Sequence, residues 1–317
     1  MAHSQNTNVN VKFREASVDL LKDFLVNLNK TNKDNIKSLS KCSGNFKEKR
    51  LTEYIFLMTQ ELRLDTLAGY HAVELLQRFM VKHLTDLFAT PTPQGAAADP
   101  PQKYEDAIFD KLKEKFPLIV FSCVQLASKL SLHSRIINNS TAVHFLDSVG
   151  YCVSKQTLLE TELMILKGLE FKLNVPNPLT YVEILLEVLG HNEPSIPVEH
   201  LYDLCHHVLQ FVSLERTIIY DALLKTTTQC VNPSREQREK FVTVTEDSML
   251  LGVGIIAVAA FILYVGKWEQ VMLHSGKCSA KCILENLDLD ARGLAFSLWG
   301  AFEVFASSAG QVLLEID

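Results

Sequence analysis

The sequence predicts an all-α fold: tandem helical domains preceded by a single N-terminal helix. Two observations carry this. Apolar residues recur at three- and four-residue steps along nearly the whole chain, and the period-two alternation of half-buried strands is missing. A third observation, the stretch 158–190, LLETELMILKGLEFKLNVPNPLTYVEILLEVLG, shows how the helices join. Leu159, Glu162, Leu163, Leu166 and Leu169 lie on or near one helical stripe, and a short extended link, Phe171 to Val175, follows. Asn177 is then placed to cap a new helix, with Pro178 in the first-turn slot where its missing N–H costs nothing. Apolar residues resume at Leu179, Val182, Leu185, Leu186 and Leu189.

The elements follow in order. Residues 13–29 form an amphipathic helix with Leu21, Phe24, Leu25 and Leu28 on one face, and polar residues 30–46 read as a linker. Residues 48–62 are helical through Leu51, Ile55, Met58 and Leu62, and residues 65–88 make a longer helix with Asp65 as its cap. Residues 89–102 hold four prolines and a glycine, which excludes a regular helix and predicts a surface loop. Within it, Thr90 and Thr92 each precede a proline and are candidate phosphorylation sites, where a phosphate could dock on a basic patch. Pro117 is expected to open the next helix, and residues 117–130 are apolar nearly all round, as in the central helix of a bundle. Further helices are expected near 141–149, 154–170, 178–190, 197–211, 214–226, 236–265, 267–275 and 279–307.

Composition narrows the function. At 317 residues the chain is long enough for two domains, and its net charge of −6 argues against gripping nucleic-acid phosphates, so no direct nucleic-acid binding is expected. Seven cysteines at scattered positions point to free thiols in a reducing compartment, nucleus or cytosol. Residues 249–265 are 17 consecutive uncharged residues, near the lower limit of about 17 for a membrane span. A buried central helix is the expectation, because Gly252, Gly254 and Ala257 allow close helix contacts and basic and aromatic flanks are weak. An anchored helical membrane protein is the alternative.

Catalytic patterns are missing: the sequence contains neither a glycine-rich phosphate loop nor HExxH. His274, Cys278 and Cys282 fall at four-residue steps, but on one helix they would span about 12 Å, too far for one ion. The expectation is a protein without enzyme activity, cofactor or metal. Lys129 and Glu162, read by periodicity alone, are ordinary surface charges.

Taken together, AVELLQRFM at 72–80, ASKLS at 127–131 and the stretch 158–190 resemble the cyclin family. The resemblance implies two tandem cyclin-like five-helix folds after an N-terminal helix and linker (1–46). The first fold would span 47–190, with the proline-rich loop 89–102 inside it, and a divergent second fold would span 191–317. Residues 117–130 would be the central helix of the first. In cyclins a lysine in an (A/I)-S-K segment and a glutamate five residues before the lysine of LK-x-L-x-F hold the regulatory helix of a cyclin-dependent kinase. These match Lys129 and Glu162, and the kinase becomes the implied partner.

Within the family, LLQRFMVKH, SCVQLASKLS, residues 158–190 and EKFVTVTEDSMLLGVGIIA resemble a member that acts in meiotic crossover formation. That implies a regulator of meiotic recombination in germ-cell nuclei, acting by protein contacts. A kinase-independent scaffold for recombination or ubiquitin-ligase factors is the alternative. Three departures from cell-cycle cyclins stand out. KEKRL at 47–51 replaces the apolar substrate-docking patch, Leu130, Ser131 and Leu132 stand where acidic residues often follow the lysine, and RxxL and KEN degradation signals do not occur.

Overall fold

The computed structural model describes residues 12–40, 42–89, 101–131 and 135–264. Among these are eleven α-helices and no strand, so the all-α expectation holds: α1 (Val18–Lys37), α2 (Lys49–Glu61), α3 (Thr66–Ala89), α4 (Pro101–Leu130), α5 (Asn139–Ser148), α6 (Lys155–Gly168), α7 (Pro178–Asn192), α8 (Val198–Leu214), α9 (Arg216–Thr228), α10 (Arg235–Thr245) and α11 (Ser248–Tyr264). They fall into two compact units. One is Cys42–Val175, and the other joins Met1–Lys41 to Pro176–Asp317. Thr90, Thr92, His274, Cys278, Cys282, most of the proline-rich loop and the helices expected near 267–275 and 279–307 lie outside the described residues.

In the unit Cys42–Val175 there are five helices, and α2, α3, α5 and α6 gather around α4. Leu118 through Ser128 of α4 are all buried, as expected of a central helix, with α3 and α6 packed along it. The helix does not open at Pro117. It begins at Pro101 and runs through the proline. An interior proline costs about 3 kcal/mol through its lost N–H bond and ring clash. Burial of Leu118, Ile119, Val120, Phe121, Val124 and Leu126 contributes about 1.5–3 kcal/mol each and outweighs that cost. The Glu114 carbonyl, one turn before, also accepts from the Tyr151 hydroxyl at 2.8 Å.

Local signals set the helix ends. Asp65 caps α3, its Oδ1 accepting from the Leu67 N–H at 2.8 Å, and Asn138 and Ser154 cap α5 and α6. Helix α6 ends after Gly168, where a Cβ would lie 2.8 Å from the Phe79 ring, so glycine allows α6 to close on α3. The following link starts differently from the extended chain expected. Glu170 and Phe171 are both left-handed, and the Phe171 and Glu170 N–H groups bond back to the carbonyls of Leu166 and Lys167. Helix α3 holds the turn: Arg78 donates to the Lys172 carbonyl at 2.9 Å and Lys82 pairs with Glu170.

The other unit gathers α1 with α7 to α11. Asn177 caps α7 as expected, accepting from Leu179 and Thr180 N–H groups at 2.9 and 3.2 Å, with Pro178 in the first turn. Helix α7 therefore does not complete the fold expected over 47–190. Its Tyr181 and Leu185 share a core with Leu25 and Leu28 of α1 and Met249 of α11. Glu187 accepts from the backbone N–H groups of Arg14 and Ala16 at 2.7 and 3.1 Å. The N-terminal helix is likewise part of this unit.

Two further boundaries differ from expectation. Helix α1 continues to Lys37 through residues expected to be linker. The reason is Asn32, which is buried, donates to Asp247 Oδ1 at 2.8 Å and accepts from the Ser248 N–H at 3.1 Å. The single helix expected over 236–265 is two, bent by 73° at Glu246 and Asp247. Asp247 caps α11 through the Leu250 N–H at 2.9 Å, and Arg216 holds Glu246 at 2.7 Å.

Met249, Gly252, Ile255 and Ala259 form the buried face of α11, against α7 and α8. A Cβ on Gly252 would lie 3.2 Å from both Tyr181 Cβ and Leu185 Cδ1, so this glycine permits the close approach expected of it. Among the described residues no single helix is long and apolar enough to cross a membrane, and α10 with α11 qualifies only as the bent pair. The five described cysteines are free, and burial pushes the Cys205 thiol up to about 12.

Asn32→Ala removes both bonds to the start of α11 and is expected to lower stability by about 1–3 kcal/mol, read as a shifted urea midpoint. The Glu170 carboxyl, bonded by Lys82 and Lys172, is held at about 2. A lowered carboxyl pKa contributes stability that is present above its ordinary value and lost as pH falls toward 2. Lys82→Met is expected to return the Glu170 titration, followed by carboxyl NMR, toward the ordinary range; an unmoved titration contradicts the assignment to Lys82.

Candidate functional site

The segment Ala127-Ser128-Lys129 closes α4, and each residue has a distinct physical task. Ala127 is fully buried. Ser128 is buried too. Its hydroxyl donates to the Gln125 carbonyl at 2.7 Å and accepts from the Ile137 N–H at 3.1 Å, which ties the segment after α4 to the helix end. Gln125 completes the tie, donating to the Ile137 carbonyl at 3.2 Å and to Asn139 Oδ1 at 2.9 Å. Lys129 is the first residue of α4 to leave the core after Leu118–Ser128. It sits in the last helical turn, where the unpaired carbonyls favour a cation.

Glu162 reaches the same place from α6. Lys129 Nζ donates to Glu162 Oε1, closing a contact between residues 33 apart in sequence. The pair is asymmetric: the lysine side chain is 35% exposed and the glutamate 10%. The carboxylate is thus set into the α4–α6 seam, and the ammonium covers it from outside.

The face of α6 differs from expectation by one residue. Leu158, Thr161, Glu162, Ile165 and Leu169 are buried, whereas Leu159 and Leu163 are 43% and 44% exposed. Sequence periodicity missed this, because leucines occupy both candidate faces. The outcome is two exposed leucines, one turn apart, on the helix that carries Glu162. An ion pair flanked by apolar side chains suits a partner helix: the charges can meet backbone groups and the leucines can be covered. Among the described residues no group of three or more metal-ligating side chains could hold an ion.

The KEKRL segment is also placed. Lys47 pairs with Glu74 of α3 at 2.7 Å, both largely buried, so this position is filled by an internal ion pair.

Removing one member of a shielded pair strands the other, whereas removing both does not. Lys129→Ala is expected to lower stability by about 1–3 kcal/mol, while Lys129→Ala/Glu162→Ala is expected to recover most of the loss. Denaturant titration of wild type, Lys129→Ala, Glu162→Ala and the double variant checks this; a double variant as unstable as the sum of its singles contradicts the pairing.

No family model matches the chain. Two curated proteins do. It is 41% identical over 263 residues to mouse cyclin N-terminal domain-containing protein 1, covering 83% of this chain and 79% of that protein. It is 40% identical over 266 residues to the human protein of the same name, covering 84% and 81%. Similarity of that extent, spanning both helical units, shows that the chain belongs to the cyclin family, among the cyclin N-terminal domain-containing protein 1 sequences.

Proposed function

We propose that this chain is a non-catalytic, cyclin-like regulator of meiotic recombination that promotes crossover maturation through protein contacts, one of them to a cyclin-dependent kinase. The observation that carries the kinase contact is the Lys129–Glu162 pair at the end of α4, beside the exposed Leu159 and Leu163. In cyclins the matching lysine donates to backbone carbonyls of the kinase's regulatory helix and the matching glutamate accepts from its N–H groups. Helix α4 ends at this half-exposed lysine, whose ammonium lies on the outer side of the Glu162 carboxylate. The meiotic role and a nuclear location at recombination sites rest on the resemblance of LLQRFMVKH, SCVQLASKLS, residues 158–190 and EKFVTVTEDSMLLGVGIIA to a meiotic family member.

A second reading, a scaffold for recombination or ubiquitin-ligase factors without a kinase, has its own support. Lys129 and Glu162 already satisfy each other, and Leu130 and Ser131 supply no acidic groups beside the lysine. Titration of a purified cyclin-dependent kinase separates the two. Truncating a desolvated charged contact costs about 2–5 kcal/mol of binding. The double variant Lys129→Ala/Glu162→Ala is therefore expected to bind more than tenfold more weakly than wild type, with unchanged circular dichroism. Equal affinities would end the cyclin-type docking mode, and no binding by wild type would favour the scaffold.

A further inference from the structure

A second polar site lies in the unit Cys42–Val175, where the turn after α2 meets α5. A cavity of about 200 Å³ is lined by Arg63, Arg135, His144, Thr141 and Ser148, with Glu61 and the apolar Leu62, Ile137 and Phe145 completing it. Arg63, Arg135 and His144 have no ion-pair partner among the described residues. On a chain of net charge −6, two unneutralised guanidinium groups around one cavity are a local reversal of sign.

The backbone at Arg63 makes the point sharper. Arg63 follows the last turn of α2 with φ 54°, in the left-handed region. Its N–H bonds to the Gln60 carbonyl at 3.0 Å and the Leu64 N–H to the Thr59 carbonyl at 2.9 Å. These two bonds define a helix stop whose left-handed position favours glycine. An arginine there carries strain that the turn does not require. The other charged residues in left-handed positions, Arg14 and Glu170, use their side chains within the fold: Arg14 holds the Gly190 and Ile196 carbonyls, and Glu170 holds Lys82 and Lys172. Arg63 instead lines the cavity.

We propose that this cavity binds a phosphorylated serine or threonine of a partner polypeptide. Two guanidinium groups match a phosphomonoester dianion in charge and in forked donor geometry. The imidazole and the Thr141 hydroxyl add donors, while the Ser148 hydroxyl is engaged, donating to the Phe145 carbonyl at 2.6 Å. Leu62, Ile137 and Phe145 offer apolar cover for the residue carrying the phosphate. A single small cavity with Glu61 in its lining fits one phosphoryl group better than the continuous phosphate track of a nucleic acid.

The test uses the full-length chain and an immobilised degenerate peptide library with one fixed central phosphothreonine, beside its unphosphorylated twin and a single-stranded DNA. Retention on the phosphorylated library is expected to exceed the unphosphorylated one by tenfold or more and to fall at least tenfold in Arg63→Gly and in Arg135→Gln. Because glycine suits the left-handed turn, Arg63→Gly is also expected to keep the melting temperature or raise it by about 2 °C. Equal retention on both libraries, no retention of wild type, or binding unaffected by either substitution overturns the proposal. Loss of DNA retention in both variants with no preference for phosphopeptide reassigns the cavity to nucleic acid and overturns it equally.

Discussion

The burial of eleven consecutive residues of α4, Leu118 to Ser128, is the constraint on which the candidate site depends. A helix enclosed along that length has no freedom to rotate or slide, because turning it would expose Phe121 or Val124 and bury Lys129. The end of the buried run therefore fixes where the lysine emerges. Ser128 and Gln125 lock that end by bonding the chain at Ile137 and Asn139, so the first charged residue beyond the core leaves at a defined point. Glu162 meets it there because α6 packs along the same helix, with Gly168 allowing close contact with Phe79 of α3.

The same logic organises the second unit around α11. Its small and apolar face, Met249, Gly252, Ile255 and Ala259, takes α7 and α8, while α1 supplies Leu25, Leu28 and the Asn32 bonds to Asp247 and Ser248. A helix that composition alone leaves open between core and membrane span is thus packed by three neighbouring helices, α7, α8 and α1, and capped by Asp247. A polar residue, Asn32, does the anchoring that an apolar contact would do elsewhere, and it is satisfied on both sides of its amide.

What the sequence revealed follows from the range of each interaction. Local signals were legible: Asn177-Pro178 as a cap, Asp65 as another, and the buried run of α4. Long-range partners were not. The continuation of α1 depends on Asp247, 215 residues away, and the union of α7 with α1 depends on Tyr181 and Leu185 meeting Leu25 and Leu28, so neither boundary is visible to local signals. Helix α4 passes Pro117 because burial beyond it outweighs one lost bond, a balance that a local breaker rule cannot weigh. Lys129 and Glu162 stood out only through the cyclin resemblance, since periodicity treats any Lys and Glu as surface charge. Leu159 and Leu163 were misplaced because α6 carries leucines on two faces, and Arg63 gave no sequence signal at all, since its left-handed backbone is visible only in the turn.

Amide hydrogen exchange of the chain alone and mixed with a purified cyclin-dependent kinase tests the central claim most directly, because it reads the contact surface without altering a residue. The account predicts slowed exchange concentrated in the last turn of α4 and in α6, around Lys129, Leu159, Glu162 and Leu163, with α8 to α10 unchanged. Protection confined to other helices, with α4 and α6 exchanging at the same rate in both samples, would contradict it.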